Sequence, residues 1–357
     1  MRSKSKPSSK RAAKKRATRP RATKPRRAKA PSLPTVPVTV VNFTRAESHM
    51  YFAKGVQDGA FGRLQHRRAP VAIDKQDVIR MNRDTLYSSG VFDLDAGAVT
   101  IALPDVGERF MSLLMIDEDH YSQPAVYAPG SYTFTREQIG ARYVLAAVRT
   151  LADAGSAADV KAANAAQDRI RVQQAATGKF EIPNWDAAER DEIRKLLLAL
   201  AARAGETTDE RFGTRDKVNP IQHLLTTAAG WGGNPRAAAV YVGLAPKAND
   251  GRTVHRLTVR DVPVDGFWSI SIYNERGFFQ KNKLDSYSVN NLTAKPNEDG
   301  SFTIQFGGSP AKAPNYLFTP PGWNYVVRMY RPRKPVLDGT WRFPEAQPAN
   351  DAGAPKR

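Results

Sequence analysis

Asp117, Glu118, Asp119 and His120 place three carboxylates and an imidazole in four consecutive positions. They follow the short apolar segment Arg109–Ile116, which puts them at a strand end or in a turn. Carboxylates held close together push their pKa values apart. With a histidine beside them they could divide acid and base roles or bind a cation. The alternative is a solvated turn whose neighbouring side chains point apart. Asn82, Arg83, Asp84 and Tyr87 form a second polar run between two apolar segments. An Arg and an Asp in such a run can anchor an anionic or hydroxylated ligand through charge-assisted hydrogen bonds. Equally, Asp84 can cap a turn and Arg83 can pair with it. Asp84, Asp117 and His120 are the candidate catalytic residues; Asn82, Arg83 and Tyr87 are candidate ligand contacts.

Two further segments carry ring chemistry. Trp231-Gly232-Gly233-Asn234-Pro235 pairs glycines, which let a backbone approach a ligand, with a Trp able to stack on a ring. A tight interlobe turn with Trp231 as a core plug is the other reading. Trp268, Tyr273 and Asn274 beside Ile270 and Ile272 predict a strand with one aromatic-polar face, suited to a concave ligand surface or to packing against another lobe. Trp231, Asn234, Trp268 and Tyr273 thus join the ligand candidates. The five histidines show no metal-ligand spacing, and no metal or cofactor is identified. There is no G-x-S-x-G elbow, P-loop or G-x-G-x-x-G, which disfavours a serine hydrolase, a P-loop nucleotidase and a Rossmann dehydrogenase.

The elements that must position these residues are mostly strands. Thr44 to Glu47 matches a capping box, with Phe52, Ala53, Val56 and Ala60 at helical spacing behind it. Short apolar segments then alternate with Gly and Pro signals through residue 151. Asp186 starts a helix in which Ile193, Leu196, Leu197, Leu200 and Ala201 form an amphipathic stripe, and Pro220 suits the first turn of another. Phe302, Ile304 and Phe306 alternate with polar residues. Asp250-Gly251 and Asp299-Gly300 predict hairpin turns.

The predicted organisation is a disordered basic tail (1–40), a first β lobe with an N-terminal helix (41–152), a helical segment (153–232), a second β lobe (233–347) and a frayed end (348–357). Of the 54 Lys and Arg in the 357-residue chain, fourteen fall in residues 1–30, which hold no Asp or Glu; the formal charge of +19 therefore drops to +5 over the rest. The high isoelectric point describes the tail rather than the body. Such a tail, Lys14, Lys15, Arg16, Arg26 and Arg27 included, binds polyphosphate backbones by counterion release. It has no aromatics to read bases. Nucleic acid or another polyanion is the predicted partner of the tail, a small molecule that of the body; exposed β edges predict a homo-oligomer. With no cysteine there is no disulfide and no thiolate site. No apolar run approaches the roughly 20 residues of a membrane-spanning helix, and no secretory leader is visible, which together predict a soluble, cytoplasmic protein.

Several motifs resemble those of a bacterial two-part family, catalogued as domain of unknown function 1254 followed by domain of unknown function 1214. In the first half they are Met81-Asn-Arg-Asp-Thr-Leu-Tyr-Ser-Ser-Gly-Val-Phe-Asp-Leu-Asp95 and Ile116-Asp-Glu-Asp-His-Tyr121. In the second they are Trp231–Pro235, Asp261–Asn274, Gly322–Pro332 and Leu337–Trp341. The resemblance spans roughly 41–347. It implies a mainly β fold with a helical insert, an immunoglobulin-like sandwich followed by a jelly-roll-like one, and it implies no chemistry. Many relatives begin with an export signal and carry two cysteines where Ser309 and Tyr316 stand here; both departures count against an exported location, which is the alternative if the start site is wrong. The combined expectation is a small polar molecule bound or processed between two β lobes, with Asn82, Arg83, Asp84, Asp117, His120 and Trp231 converging on one site. The alternative is a non-catalytic scaffold or carbohydrate-binding module tethered by its tail.

Overall fold

The computed structural model describes residues 34–76, 79–205 and 210–349. Mainly antiparallel sheets, two to each lobe, form the body. In the first lobe, β1 (Gln65–His66), β2 (Thr85–Asp93), β7 (Tyr143–Leu151), β4 (Met111–Asp117) and β5 (Val126–Tyr127) lie side by side in that order. They face a sheet of β6 (Gly130–Phe134), β3 (Val99–Leu103) and β8 (Arg171–Gln174). Phe92, Val99, Ile101, Leu113, Val144 and Val148 fill the space between them. In the second lobe, β12 (Ser288–Asn290), β11 (Trp268–Tyr273), β15 (Asn324–Tyr330) and β9 (Ala239–Leu244) face β14 (Tyr316–Leu317), β13 (Phe302–Phe306), β10 (His255–Val259) and β16 (Gln347–Pro348). Leu257, Ile270, Ile304, Phe306, Trp323 and Val327 form that core.

The outer sheets follow the two-residue period of a half-buried strand. Along β3 Val99, Ile101 and Leu103 are buried, while Thr100 faces out and shares a hydroxyl contact with Thr133. Along β10 His255, Leu257 and Val259 point in, and Thr258 pairs with Thr303 outside. By contrast β4, β7, β11 and β15 are buried along their whole length. One face of each inner sheet meets its own sandwich core. The other is covered by helices or by the opposite lobe.

The helices cover one end of the first lobe's inner sheet. Phe52 of α1 (Phe43–Gln57) packs on Val91, Leu114, Ile116 and Tyr143. Phe43 and Ala46 on its other side meet Leu197 of α4 (Ala187–Ala201) and Leu225 of α5 (Pro220–Gly230). Asp186 caps α4 through the Ala188 and Glu189 amides, and Asn219 caps α5 with Pro220 in its first turn. Three further α-helices among the described residues are α2 (Arg136–Ile139), α3 (Ala157–Asp168) and α6 (Lys334–Leu337). Among the described residues no helix is long and apolar enough to cross a membrane.

Several expectations need correction. Thr44 and Glu47 form no capping box; Glu47 is buried and ion-paired with Arg194 at 2.5 Å, because α4 packs across α1. The end of the expected tail packs on the body, since Val36 bridges to Trp185 and Val38 is buried. The segment 153–232 is not all helical: β8 pairs with β3, adding a strand to the first lobe. At the other end Pro348 pairs with His255. Neither Asp250-Gly251 nor Asp299-Gly300 closes a hairpin, because the strands on either side of each turn belong to opposite sheets of the sandwich. Lys14, Lys15, Arg16, Arg26 and Arg27 lie outside the described residues.

Trp323 offers a test of the second core. It is fully buried, stacks on Phe306 at 5.2 Å and leaves its indole N–H without a partner. Trp323→Ala should cost about 3–5 kcal/mol in urea-monitored unfolding. Trp323→Phe should cost less than half of that, since it keeps a ring in the stack and removes the orphaned donor.

Candidate functional site

The segment leading into β2 is shaped by its own side chains. The Asp84 amide donates to Asn82 Oδ1 at 2.8 Å, and Asn82 Nδ2 donates across the lobes to the Tyr330 hydroxyl at 2.9 Å. The Asp84 carbonyl accepts from the Ala152 amide at 2.9 Å, continuing the β2–β7 ladder by one step. On the opposite side Asn290 ends β12. Its Oδ1 accepts from the amides of Leu292 and Thr293, which turns its Nδ2 toward Asp84 Oδ1 at 3.3 Å. These two turns border a cleft of about 440 Å³ between the lobes, lined by Arg83, Asp84, Asp153, Asp285, Ser288 and Asn290 among others.

Asp84 is 2% exposed, and its Oδ2 has no hydrogen-bond partner. Burial lifts its pKa above the ordinary carboxylate value; the nearby Arg328 charge and the hydroxyls and amide of Ser269, Asn290 and Ser288 oppose the shift without cancelling it. Arg83 is tied down beside it. Its guanidinium lies over the Tyr287 ring at 5.2 Å and donates to the Val71 carbonyl. The Tyr287 hydroxyl in turn donates to Asp285 at 3.2 Å.

Two arginines outside the candidate set hold this region together. Arg328, in the middle of β15, donates to Ser271 at 2.9 Å, to the Tyr273 hydroxyl at 2.8 Å and to the Arg80 carbonyl of the first lobe at 2.9 Å. Tyr273 passes the chain on to the Met81 carbonyl at 2.7 Å. Arg149, two residues from the end of β7, lies opposite Tyr87 with its guanidinium 5.6 Å from that ring. It donates to the Gly232 carbonyl at 2.9 Å, while its Nη1 is buried without a partner. Each is the one charged residue of an otherwise uncharged, buried strand, Tyr143–Leu151 and Asn324–Tyr330. Arginine is rarely buried without a partner, so that pattern was the available signal.

The acidic turn lies elsewhere. Asp84 stands beside the Thr85–Leu151 end of the β2–β7 pair, whereas Asp117 is paired with Val144. Seven residues of β7 separate those ends, roughly 23 Å at about 3.3 Å per residue. The expected convergence of Asp84 with Asp117 and His120 therefore fails: the two runs sit at opposite ends of one sheet. Within the turn the side chains also diverge. Glu118 accepts from His49 Nε2 at 2.9 Å and from the Tyr143 amide, while His49 Nδ1 accepts from Trp185. Burial would raise Glu118, but those donors outweigh it and its pKa ends below the ordinary value. Asp119 pairs with Arg45 at 2.7 Å and Arg215 at 3.2 Å. The Gly232 amide donates to His120 Nε2 at 2.8 Å, so Nδ1 carries the ring proton and donates to Thr227 at 2.8 Å. Burial and His223 push the His120 pKa well below its ordinary value, and both of its ring nitrogens are engaged within the fold. Among the described residues no group of three or more His, Asp or Glu side chains converges to hold a metal ion.

The remaining candidates divide. Tyr87 and Tyr273 belong to the interlobe layer, and Asn234 donates to the Tyr241 hydroxyl at 2.7 Å. Trp231 stacks on Tyr51 at 4.5 Å and on His120 at 5.2 Å and donates to Ser48. It packs at the helical end, outside the lining of the interlobe cleft. Trp268 shares the parity of Ile270 and Ile272 and is buried with them in the second core, away from the face that carries Tyr273. The two-residue period of the strand overrides the aromatic-face reading.

Residues 61–174 match the family described as protein of unknown function (DUF1254), and residues 241–334 match protein of unknown function (DUF1214). No curated protein matches the chain. Among solved structures, the VPA0106 protein from Vibrio parahaemolyticus is similar with a TM-score of 0.67 at 18% identity, over 87% of this chain and 98% of that one. An uncharacterized protein from Burkholderia cenocepacia is similar with a TM-score of 0.47 at 14% identity, over 83% of this chain and 85% of that one. The first likeness shows a shared fold.

The acidic turn makes a prediction about stability. Burial, with Asp119 adding to it, pushes Asp117 up to about 7 against the pull of the Tyr121 and Asp119 amides. A carboxyl whose folded pKa lies above its unfolded value stabilises fully below the unfolded pKa, near 3.8, and loses that contribution as pH rises through about 7. Asp117→Asn keeps an oxygen for both amides and removes the titration. It should raise the melting temperature at pH 8 and leave it nearly unchanged at pH 4, the difference amounting to at most roughly 4 kcal/mol. Equal effects at both pH values would contradict this assignment.

Proposed function

For a chain that carries a DUF1254 domain followed by a DUF1214 domain, we propose that the interlobe cleft binds a small, neutral or cationic molecule bearing hydroxyl or amine donors. The observation that carries this reading is the buried, unpartnered Oδ2 of Asp84. A buried acceptor without a donor costs stability, and a ligand donor entering from the cleft would satisfy it. The charge of the lining points the same way. Asp84, Asp153 and Asp285 face one guanidinium, Arg83, already engaged by Tyr287 and the Val71 carbonyl. An anion would meet net repulsion there. Ser288, Asn290 and Thr293 supply neutral donors and acceptors for hydroxyl groups. The volume of about 440 Å³ lies within the roughly 300–1,000 Å³ of small-molecule sites. Burial also shifts Asp84 in the direction a general acid requires. Asp117 and His120 take no part in this site.

A thermal-shift panel of sugars, polyols and amines tests the reading. A ligand present at about 100 times its dissociation constant should stabilise the native chain by roughly 2.7 kcal/mol. Asp84→Asn should abolish that shift while leaving the ligand-free melting temperature unchanged or higher above neutral pH, because the buried charge is gone. A variant that keeps the full ligand response would remove Asp84 from the site.

A further inference from the structure

The helical end of the molecule carries more apolar surface than the described residues cover. The stripe of α4 predicts a buried face, yet Leu197 is buried while Leu196 and Leu200 are 54% and 58% exposed. Ile221 on α5 is 69% exposed, and Val40, just ahead of α1, is 50% exposed. Together they line a groove of about 500 Å³ whose walls are apolar side chains. Val41 beside it is 95% exposed. Clustered exposure of this kind marks an interaction surface, unlike scattered single residues.

A second observation bears on what covers it. The Val36 amide donates to the Asn184 carbonyl at 2.8 Å, and the Asp186 amide donates back to the Val36 carbonyl at 2.9 Å. The chain is thereby pinned at the N-terminal cap of α4, a few residues before Val40 enters the groove wall. Immediately upstream, residues 1–30 carry fourteen Lys and Arg with no Asp or Glu. The cationic segment therefore precedes, by only a few residues, the stretch that reaches the groove wall at Val40.

We propose that this face docks on an anionic lipid surface, with the groove residues entering the headgroup boundary and the basic segment engaging the headgroups. Apolar insertion and a polybasic stretch are each weak anchors and suffice in combination. Residues 1–33 hold Met1 and Leu33 as their only large aliphatic side chains, so the segment cannot fill the groove itself. A second copy seated on the same face would bring two fourteen-cation segments to one edge, where they repel. A nucleic acid would engage the cations and leave the groove exposed to water. A lipid surface with anionic headgroups meets both features at once.

Vesicle flotation of the full chain tests the proposal, with phosphatidylcholine–phosphatidylglycerol vesicles compared against phosphatidylcholine alone. Binding should require the anionic lipid and weaken as salt rises toward about 1 M, where the screening length falls to about 3 Å. Leu196→Glu with Ile221→Glu, at exposed positions, should retain the native circular dichroism spectrum and bind about tenfold more weakly or worse. Three results would overturn the proposal. One is vesicle binding unchanged by the double substitution. Another is duplex DNA retained by both proteins with no binding to vesicles. The third is a concentration-dependent dimer that the double substitution dissociates while neither protein floats.

Discussion

Two guanidiniums are buried in strands at the lobe interface, and the rest of the site follows from that constraint. Removing a charge from water is costly unless polar partners replace the solvent. Arg328 meets the requirement by reaching out of its own lobe to the Arg80 carbonyl, with Tyr273 extending the contact to Met81. Arg149 meets part of it through the Gly232 carbonyl and the face of Tyr87. The segment entering β2 is thus held against the second lobe, and Asp84 is carried into a place too dry for a carboxylate that lacks a full set of donors. Position and chemistry have one cause.

The acidic turn and the cleft illustrate how the same residue types serve different ends. At the turn every titratable side chain is engaged: Asp117 by the Asp119 and Tyr121 amides, Glu118 by His49, Asp119 by two arginines, His120 by Thr227 and Gly232. These contacts fasten α1 and α5 to the first sandwich. In the cleft, Asp84 retains an unmet oxygen. Density of charge along the chain is therefore a poorer guide to a site than incomplete hydrogen bonding in three dimensions.

Much of the fold was legible because its outer strands and helices obey simple periods. The alternation of Phe302, Ile304 and Phe306, the Asp186 cap and Pro220 in a first turn all correspond to observed elements. The inner strands were less legible. A strand buried on both faces shows no alternation, so neither the direction of Trp268 nor the role of Arg149 followed from pattern alone. Asn82, Arg83 and Asp84 were read as a group and do share one segment at the lobe boundary. Composition alone points to Asp117 and His120 as their partners, and composition carries no information on register. The pairing of Asp117 with Val144, rather than with the other end of β7, is what separates the two groups.

Gly232 links the two ends of the interface. Its φ of 80° favours glycine over any residue with a Cβ. Its amide is taken by His120 and its carbonyl by Arg149, one anchor on the turn after β4 and the other on β7. Both anchors belong to the first lobe, so the linker is bolted to that lobe before it enters the second. A bolt of this kind resists pivoting at this point. Recognition in the cleft would then resemble a key entering a cut lock more than a hand closing, with selectivity set by outline and fixed polarity rather than by clamping.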